Sequence, residues 1–297
     1  MLRISKVNLA ERFGKAAPYY HDQAQVQRYA ADRLLDWIQT TRILPGKILE
    51  LGCGTGFLSQ GLVQLFPQND LEITDLAPGM VEFCQQQLSP NFPDLSPQDF
   101  SPPREAEEKR SSLRFYCLDA ETLGETKDVK LDANSDPSVL LQKGSYSLIA
   151  SSFALQWFAN PIETLQRLLA YLNPLGSLVF AFPSNHSFPE WKQYCHDRQV
   201  PCTLNPLPEF KEVVEAMHGI GVHCEFRSEW YSEHYPNFKT ALQHLKALGA
   251  GLSANPFTLS PKQLKQLIYP SDSLEITLSY HLVLMKLSLP RLPKFSG

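Results

Sequence analysis

Apolar positions along the chain change period several times, and each change marks an element. Between residues 24 and 38, Val26, Tyr29, Ala30, Leu34 and Trp37 or Ile38 recur at helical spacing, and Pro45-Gly46 ends the stretch. An amphipathic helix is therefore predicted ahead of the first strand. Residues 47–51 and 71–75 read as buried strands with a helix over 57–66 between them, a right-handed βαβ unit. Pro78 suits the first turn of the next helix, which carries Met80, Phe83 and Cys84. Strands follow at 113–117, 146–151 and 177–182, with a helix over 161–171 and a turn at Asn173-Pro174-Leu175-Gly176. Strands and helices alternating in this way imply a parallel sheet. Beyond Pro183 the pattern gives a helix near 207–218, a strand near 222–231, helices at 238–249 and 261–268, and a long closing strand over 274–289. Two stretches break the rhythm. Residues 89–112 hold five prolines and an EAEEKR run, and 124–143 is polar; both read as surface insertions in the loops of one domain.

Composition narrows the possibilities. With 297 residues, 43% of them hydrophobic, the chain can bury a full core as one large domain or two small ones. A formal charge of −4 argues against a general nucleic-acid binder. The charge is uneven, however: residues 238–297 carry seven Lys or Arg against two Asp or Glu. No apolar run approaches the ~20 residues of a membrane span, and no apolar signal core follows the polar N-terminus. The closest cysteines, Cys195 and Cys202, are too far apart for a C-x2-C knuckle, so neither a metal site nor a disulfide framework is expected. A reduced, cytoplasmic setting is the expectation.

The chemistry concentrates at Glu50-Leu51-Gly52-Cys53-Gly54-Thr55-Gly56, where a buried strand turns into a helix. Alternating glycines there permit a tight turn and let a ligand approach bare backbone. A dinucleotide fingerprint would need glycine at 57, where Phe57 stands. Glu50 beside the turn suits a cationic group better than a phosphate. Asp75 closes the second strand about 20 residues on, where nucleotide-binding folds place an acid on the ribose hydroxyls. Capping the helix that opens at Pro78 is its alternative role. Cys53 reads as a small packing residue.

The E-x-G-x-G-x-G segment followed by an acid ending the second strand resembles the S-adenosylmethionine (AdoMet) motif of class I methyltransferases. The resemblance implies a Rossmann-like α/β fold: a mostly parallel seven-stranded sheet, helices on both faces, the last strand antiparallel. It sets Gly52, Gly54 and Gly56 against the amino-acid end of AdoMet, Asp75 on the ribose, and Leu76 and Met80 on the adenine. Asp119-Ala120-Glu121 resembles the segment in which an Asp takes the adenine amino group and the next backbone amide takes a ring nitrogen.

A narrower resemblance rests on Ser151-Ser152-Phe153-Ala154-Leu155-Gln156-Trp157, on Arg12 to Tyr20 with Ala24 and Gln27, on Leu245 to Ala250, and on Tyr280-His281-Leu282-Val283. These segments resemble the malonyl-acyl-carrier-protein O-methyltransferases of biotin synthesis and the related trans-aconitate methyltransferases, which esterify carboxylates. The chain departs from that family at Ser152, where Asn is usual, and in its two insertions. The resemblance implies a helical cap over 1–44, an AdoMet-binding core over 45–182 and a substrate side over 183–297. Tyr20 and Gln27 would cover the cofactor, while Phe153 and Trp157 would wall the methyl-transfer site; for Trp157, plain core packing is the alternative. A carboxylate is already an anion at neutral pH, so no acid–base dyad and no metal are required. Lys246 and His281 are candidates to orient the substrate's charge, against the simpler roles of surface lysine and satisfied strand histidine. An acidic carrier protein could dock on the basic 238–297 segment, which could also be an ordinary solvated face. A small free carboxylic acid is the rival substrate, and a non-catalytic AdoMet-binding regulator the rival class.

Overall fold

The computed structural model describes residues 5–89, 112–123, 141–245, 248, 259–268 and 275–289. Most of both insertions, Lys246 and the rest of 246–258 except Leu248 lie outside the described residues. Two helices open the chain, α1 (Lys6–Gln23) and α2 (Gln25–Thr40). They are followed by β1 (Lys47–Leu51), α3 (Phe57–Leu65), β2 (Leu71–Asp75), α4 (Pro78–Leu88) and β3 (Leu113–Cys117). Next come β4 (Tyr146–Ser152), α5 (Pro161–Leu169), β5 (Leu172–Pro183), α6 (Pro189–Asp197) and α7 (Phe210–Gly219). The chain closes with β6 (His223–Tyr235), α8 (Phe238–Leu245), α9 (Pro261–Ile268) and β7 (Ile276–Ser288).

The strands form one sheet in the order β3-β2-β1-β4-β5-β7-β6. Strands β1 to β5 pair in parallel, and β7 runs antiparallel to both neighbours, as the class I resemblance implied. The strand order reverses between β1 and β4, and ligands of open α/β sheets bind at the carboxyl ends of strands beside such a reversal. Alternate residues feed two cores. Ile48, Ile73, Leu148 and Leu284 pack with α2 and α3 on one face. Leu49, Ile149, Phe180 and Met285 pack with α5 and α7 on the other. Period-two alternation along strands buried on both faces accounts for the continuous apolar runs in the sequence.

One expectation needed revision, and the apolar pattern left two helices, α6 and α1, unpredicted. The turn at 173–176 is absorbed into β5, which pairs Leu172 with Tyr146 and Ser177 with Leu148 and bulges between. Helix α6 buries only Trp191 and Cys195, too short an apolar stripe to show as a period. Helix α1 contains Gly14 and Pro18, both poor helix formers, yet it forms because one face, Ala10, Phe13, Ala17 and Tyr20, packs on Ala77, Met80 and Phe83 at α4. The two backbones meet at Gly14 and Gly79, where a Cβ on Gly79 would fall 2.8 Å from the Gly14 Cα.

Candidate active site

At the carboxyl ends of β1, β2 and β4 lies a cleft of about 1040 Å³, counted out to its open mouth. Its floor is the turn after β1. Gly52, Gly54 and Gly56 take φ of +71°, +54° and +94°, a region side chains other than glycine rarely occupy. A Cβ on Gly52 would also meet that of Ala154 at 2.7 Å, whereas one on Gly54 would meet no protein atom within 4 Å. Gly54 thus leaves backbone bare toward the cleft. Gly56 caps α3 and is not part of the lining.

Glu50 is 2% exposed, and among the described residues its Oε2 has no hydrogen-bond partner. Burial pushes its carboxyl up to about 8, with a Ser59 hydrogen bond opposing and the charge of Asp75 adding to the shift. A buried acid with an unmatched oxygen is a receptor for a cation or a strong donor. Asp75 is more nearly satisfied. Its Oδ1 accepts the Ala77 amide at 2.8 Å and its Oδ2 the Gly54 amide at 2.9 Å, so it braces the glycine turn and the start of α4 together. Each oxygen keeps a second lone-pair direction for a ligand. Burial raises its pKa against those backbone bonds, and Tyr20, which faces it, is raised by burial and then by the charge of Asp75.

Asp119-Ala120-Glu121 lies at a short helical turn after β3. Asp119 caps this turn through the Glu121 amide at 3.0 Å. Across the cleft Lys6, in the first turn of α1, reaches Asp119 Oδ2 at 2.5 Å and Glu121 Oε2 at 2.8 Å. Glu121 also accepts the Asn160 amide at 2.8 Å. Burial would raise its carboxyl, but Lys6 and the backbone donors of Asn160 and Ala159 hold it below the ordinary range.

The remaining wall is aromatic. Phe153, at the end of β4, has φ +56°, with its amide donated to Ala181 at 2.8 Å; a bulky side chain held in that region marks a constrained position. Trp157 is half-buried and lines the cleft rather than the core. Phe13 of α1 bridges the walls, edge-on to Trp157 at 5.3 Å and to Tyr20 at 5.9 Å.

The structure therefore brings Glu50, Gly52, Gly54, Asp75, Leu76, Met80, Asp119, Ala120, Glu121, Tyr20, Gln27, Phe153 and Trp157 to one cleft. Gln27 contributes a buried Oε1 without a partner among the described residues. His281 is elsewhere: it is 8% exposed, its Nδ1 is 2.7 Å from Ser184 Oγ, and burial first and His186 second lower its pKa. Lys246 lies outside the described residues. The sequence reading missed Lys6 as a cleft residue. Its signal was the three-to-four spacing of Leu9, Ala10, Phe13, Ala17 and Tyr20, which places α1 across the site.

Residues 23–221 match the family described as "Methyltransferase domain". Among curated relatives, the chain is 30% identical over 246 residues to the biotin biosynthesis bifunctional protein BioCD of Bordetella avium, covering 82% of the chain and 44% of that protein. It is 29% identical over 211 residues to the malonyl-[acyl-carrier protein] O-methyltransferase of Magnetococcus marinus, covering 70% of the chain and 64% of that enzyme. The chain thus spans less than two thirds of each of these two relatives. For the enzyme of the same name from Enterobacter lignolyticus, the identity is 25% and the alignment covers 94% of the chain and 96% of the relative. Among solved structures, the YcgJ protein of Bacillus subtilis shares the fold with a TM-score of 0.55 at 11% identity, covering 86% of this chain and 97% of that one. With the sheet order, the glycine turn and the family match in agreement, the chain belongs to the class I, AdoMet-dependent methyltransferase domains.

Proposed function

We propose that this protein transfers a methyl group from AdoMet to the free carboxylate of malonyl-acyl carrier protein. The observation that carries the reading is the wall of Phe153, Ala154, Trp157 and Phe158, which is apolar and aromatic, with the Ser152 hydroxyl as its polar group and no carboxylate, histidine or lysine among these five residues. Such a wall suits a nucleophile that arrives already ionised. The names of the Magnetococcus and Enterobacter relatives, at 29% and 25% identity, point to the same substrate, and that of the Bordetella relative to biotin biosynthesis.

The cleft's own groups fit the cofactor. AdoMet, when bound, supplies a sulfonium methyl group open to attack by an anion. Glu50, with its unmatched buried oxygen, is suited to the ammonium of the methionyl end, and the bare backbone at Gly54 admits close approach. Asp75 takes the ribose hydroxyls on its remaining lone pairs, Leu76 and Met80 flank the adenine, and Asp119 presents its carboxylate to the amino group while sharing it with Lys6. Tyr20 and Gln27 close the cleft from the helical cap. Phe153 and Trp157 hold the acceptor in line and exclude water; positioning of this kind recovers roughly 7–11 kcal/mol of barrier. The carrier docks on the basic C-terminal side, where Lys239 on α8 and Lys262 and Lys265 on α9 are exposed and complement an acidic surface. Methyl transfer from labelled AdoMet is to be measured on malonyl-acyl carrier protein, malonyl-CoA and trans-aconitate in parallel. Preference for the carrier-bound substrate is expected. Preference for the free acid overturns the substrate, and AdoMet binding without transfer to any of the three overturns the reaction.

A further inference from the structure

Among the described residues, strand β6 is the edge of the sheet, hydrogen-bonded only to β7. Along its 13 residues, every second one turns its N–H and C=O away from β7, the arrangement through which sheets recruit another strand. Its side chains are unusual for a solvent edge. Phe226 and Trp230, on one face, are 48% and 53% exposed, and Ser228 lies between them. On the other face Arg227 is exposed and Glu229 half-buried, the latter held by Arg33 at 3.1 Å.

We propose that β6 pairs with β6 of a second copy of this chain, antiparallel about a two-fold axis normal to the sheet at Ser228, so that the two sheets become one. This register sets Phe226 opposite the partner's Trp230, Arg227 opposite the partner's Glu229, and Ser228 opposite itself. Each exposed aromatic gains an aromatic neighbour across the seam, Arg227 gains an anion beside its contact with the Trp37 ring at 4.6 Å, and the smallest side chain sits on the axis, where the two copies crowd most. Directly opposed residues bring their Cβ atoms to about 4.5–5.5 Å, close enough for both kinds of pair to contribute. The neighbouring registers are worse. Moving the axis one residue to either side sets Arg227 against itself or Glu229 against itself, and like charges directly opposed are destabilising. Moving it to Phe226 leaves Trp230 opposite Val222, beyond the end of the strand. About Ser228 the strand is thus self-complementary, as an isologous contact requires.

The register makes the test specific. Sedimentation equilibrium of the full chain should show a dimer, and Arg227→Glu should raise its dissociation constant by about tenfold or more by opposing two acids. Ser228→Cys in a Cys224→Ser background should cross-link to a covalent dimer under oxidised glutathione. Ser232→Cys should cross-link only while Cys224 is present, because Ser232 lies opposite the partner's Cys224 but about 27 Å from its own copy, eight residues away at ~3.3 Å each. A wild-type protein that stays monomeric at every concentration overturns the proposal, as does a Ser232→Cys variant that cross-links equally well without Cys224.

Discussion

Glu50 allows the cofactor site to be tested through its proton. Burial holds its carboxyl near 8, against about 4.3 for a glutamate in water. At about 1.4 kcal/mol per tenfold, ionising it in the empty cleft costs on the order of 5 kcal/mol. Near pH 7 the empty site is therefore mostly protonated, and AdoMet, whose ammonium needs the anion, must displace that proton. Affinity should rise by up to about tenfold per pH unit from pH 6 toward 8, then fall as the ligand's own amino group, ordinarily near 7.7–8.0, loses its charge. Glu50→Gln keeps the shape and removes the charge. It should abolish the rising limb and weaken binding at pH 8 by roughly 10- to 150-fold, the worth of a hydrogen bond to a charged group at 1.5–3 kcal/mol. At pH 6 the gap should narrow. Stability has the opposite sign. The folded state keeps a proton that the unfolded chain loses between about pH 4.3 and 8, so the ligand-free protein loses stability as pH rises through that window, and Glu50→Gln should not. Calorimetry across pH 6–9 in two buffers of different ionisation enthalpy counts the released proton directly. A pH-independent affinity, or a Gln variant that binds as tightly as the wild type at pH 8, refutes the argument.

Other sites give independent tests. Asp75→Ala removes the acceptor of the Gly54 and Ala77 amides as well as the expected ribose ligand; AdoMet affinity measured by calorimetry should fall at least about tenfold, and unchanged affinity would mean the site is misplaced. Lys6→Ala frees α1 from Asp119 and Glu121, so hydrogen exchange should quicken in α1 while β1 and β4 keep their protection, the loss staying within about 1 kcal/mol for a partly exposed pair. Tyr146 donates to the buried Glu72, which also holds Lys47 at 3.2 Å, at the end of the sheet away from the cleft. Tyr146→Phe should cost roughly 1–3 kcal/mol in thermal or urea unfolding and leave AdoMet affinity untouched.

The parts legible in the sequence were those whose periodicity is set by the sheet. Ile48 to Leu51 and Leu71 to Asp75 are buried on both faces, so their apolar runs stood out, and the glycine turn between strand and helix announced itself through positions no other residue fills. Phe57 at the place of a third dinucleotide glycine directed the reading toward AdoMet. The helical cap came from resemblance instead, because α1 packs on α4 rather than on the sheet and its stripe includes alanines and a glycine. Lys6 was signalled only through the apolar spacing of its helix, since its partners Asp119 and Glu121 are more than a hundred residues away. His281 stood in a family-like segment, but strand alternation turned it toward Ser184 and Trp230 instead of the cleft. Sheet order follows from crossovers that no local pattern encodes.

The meeting of Gly14 and Gly79 has a practical consequence for anyone engineering heat resistance into this enzyme. Replacing helical glycines by alanine is a standard route to gains of about 1 kcal/mol, and a simple scan would mark both positions alike. They are not alike. A methyl group on Gly14 would rest 3.5 Å from Gly79, an ordinary contact, whereas one on Gly79 would press on the Gly14 backbone at 2.8 Å. Alanine at 14 should therefore stabilise the chain, whereas alanine at 79 should wedge α1 away from α4 and open the side of the cleft that α1 forms.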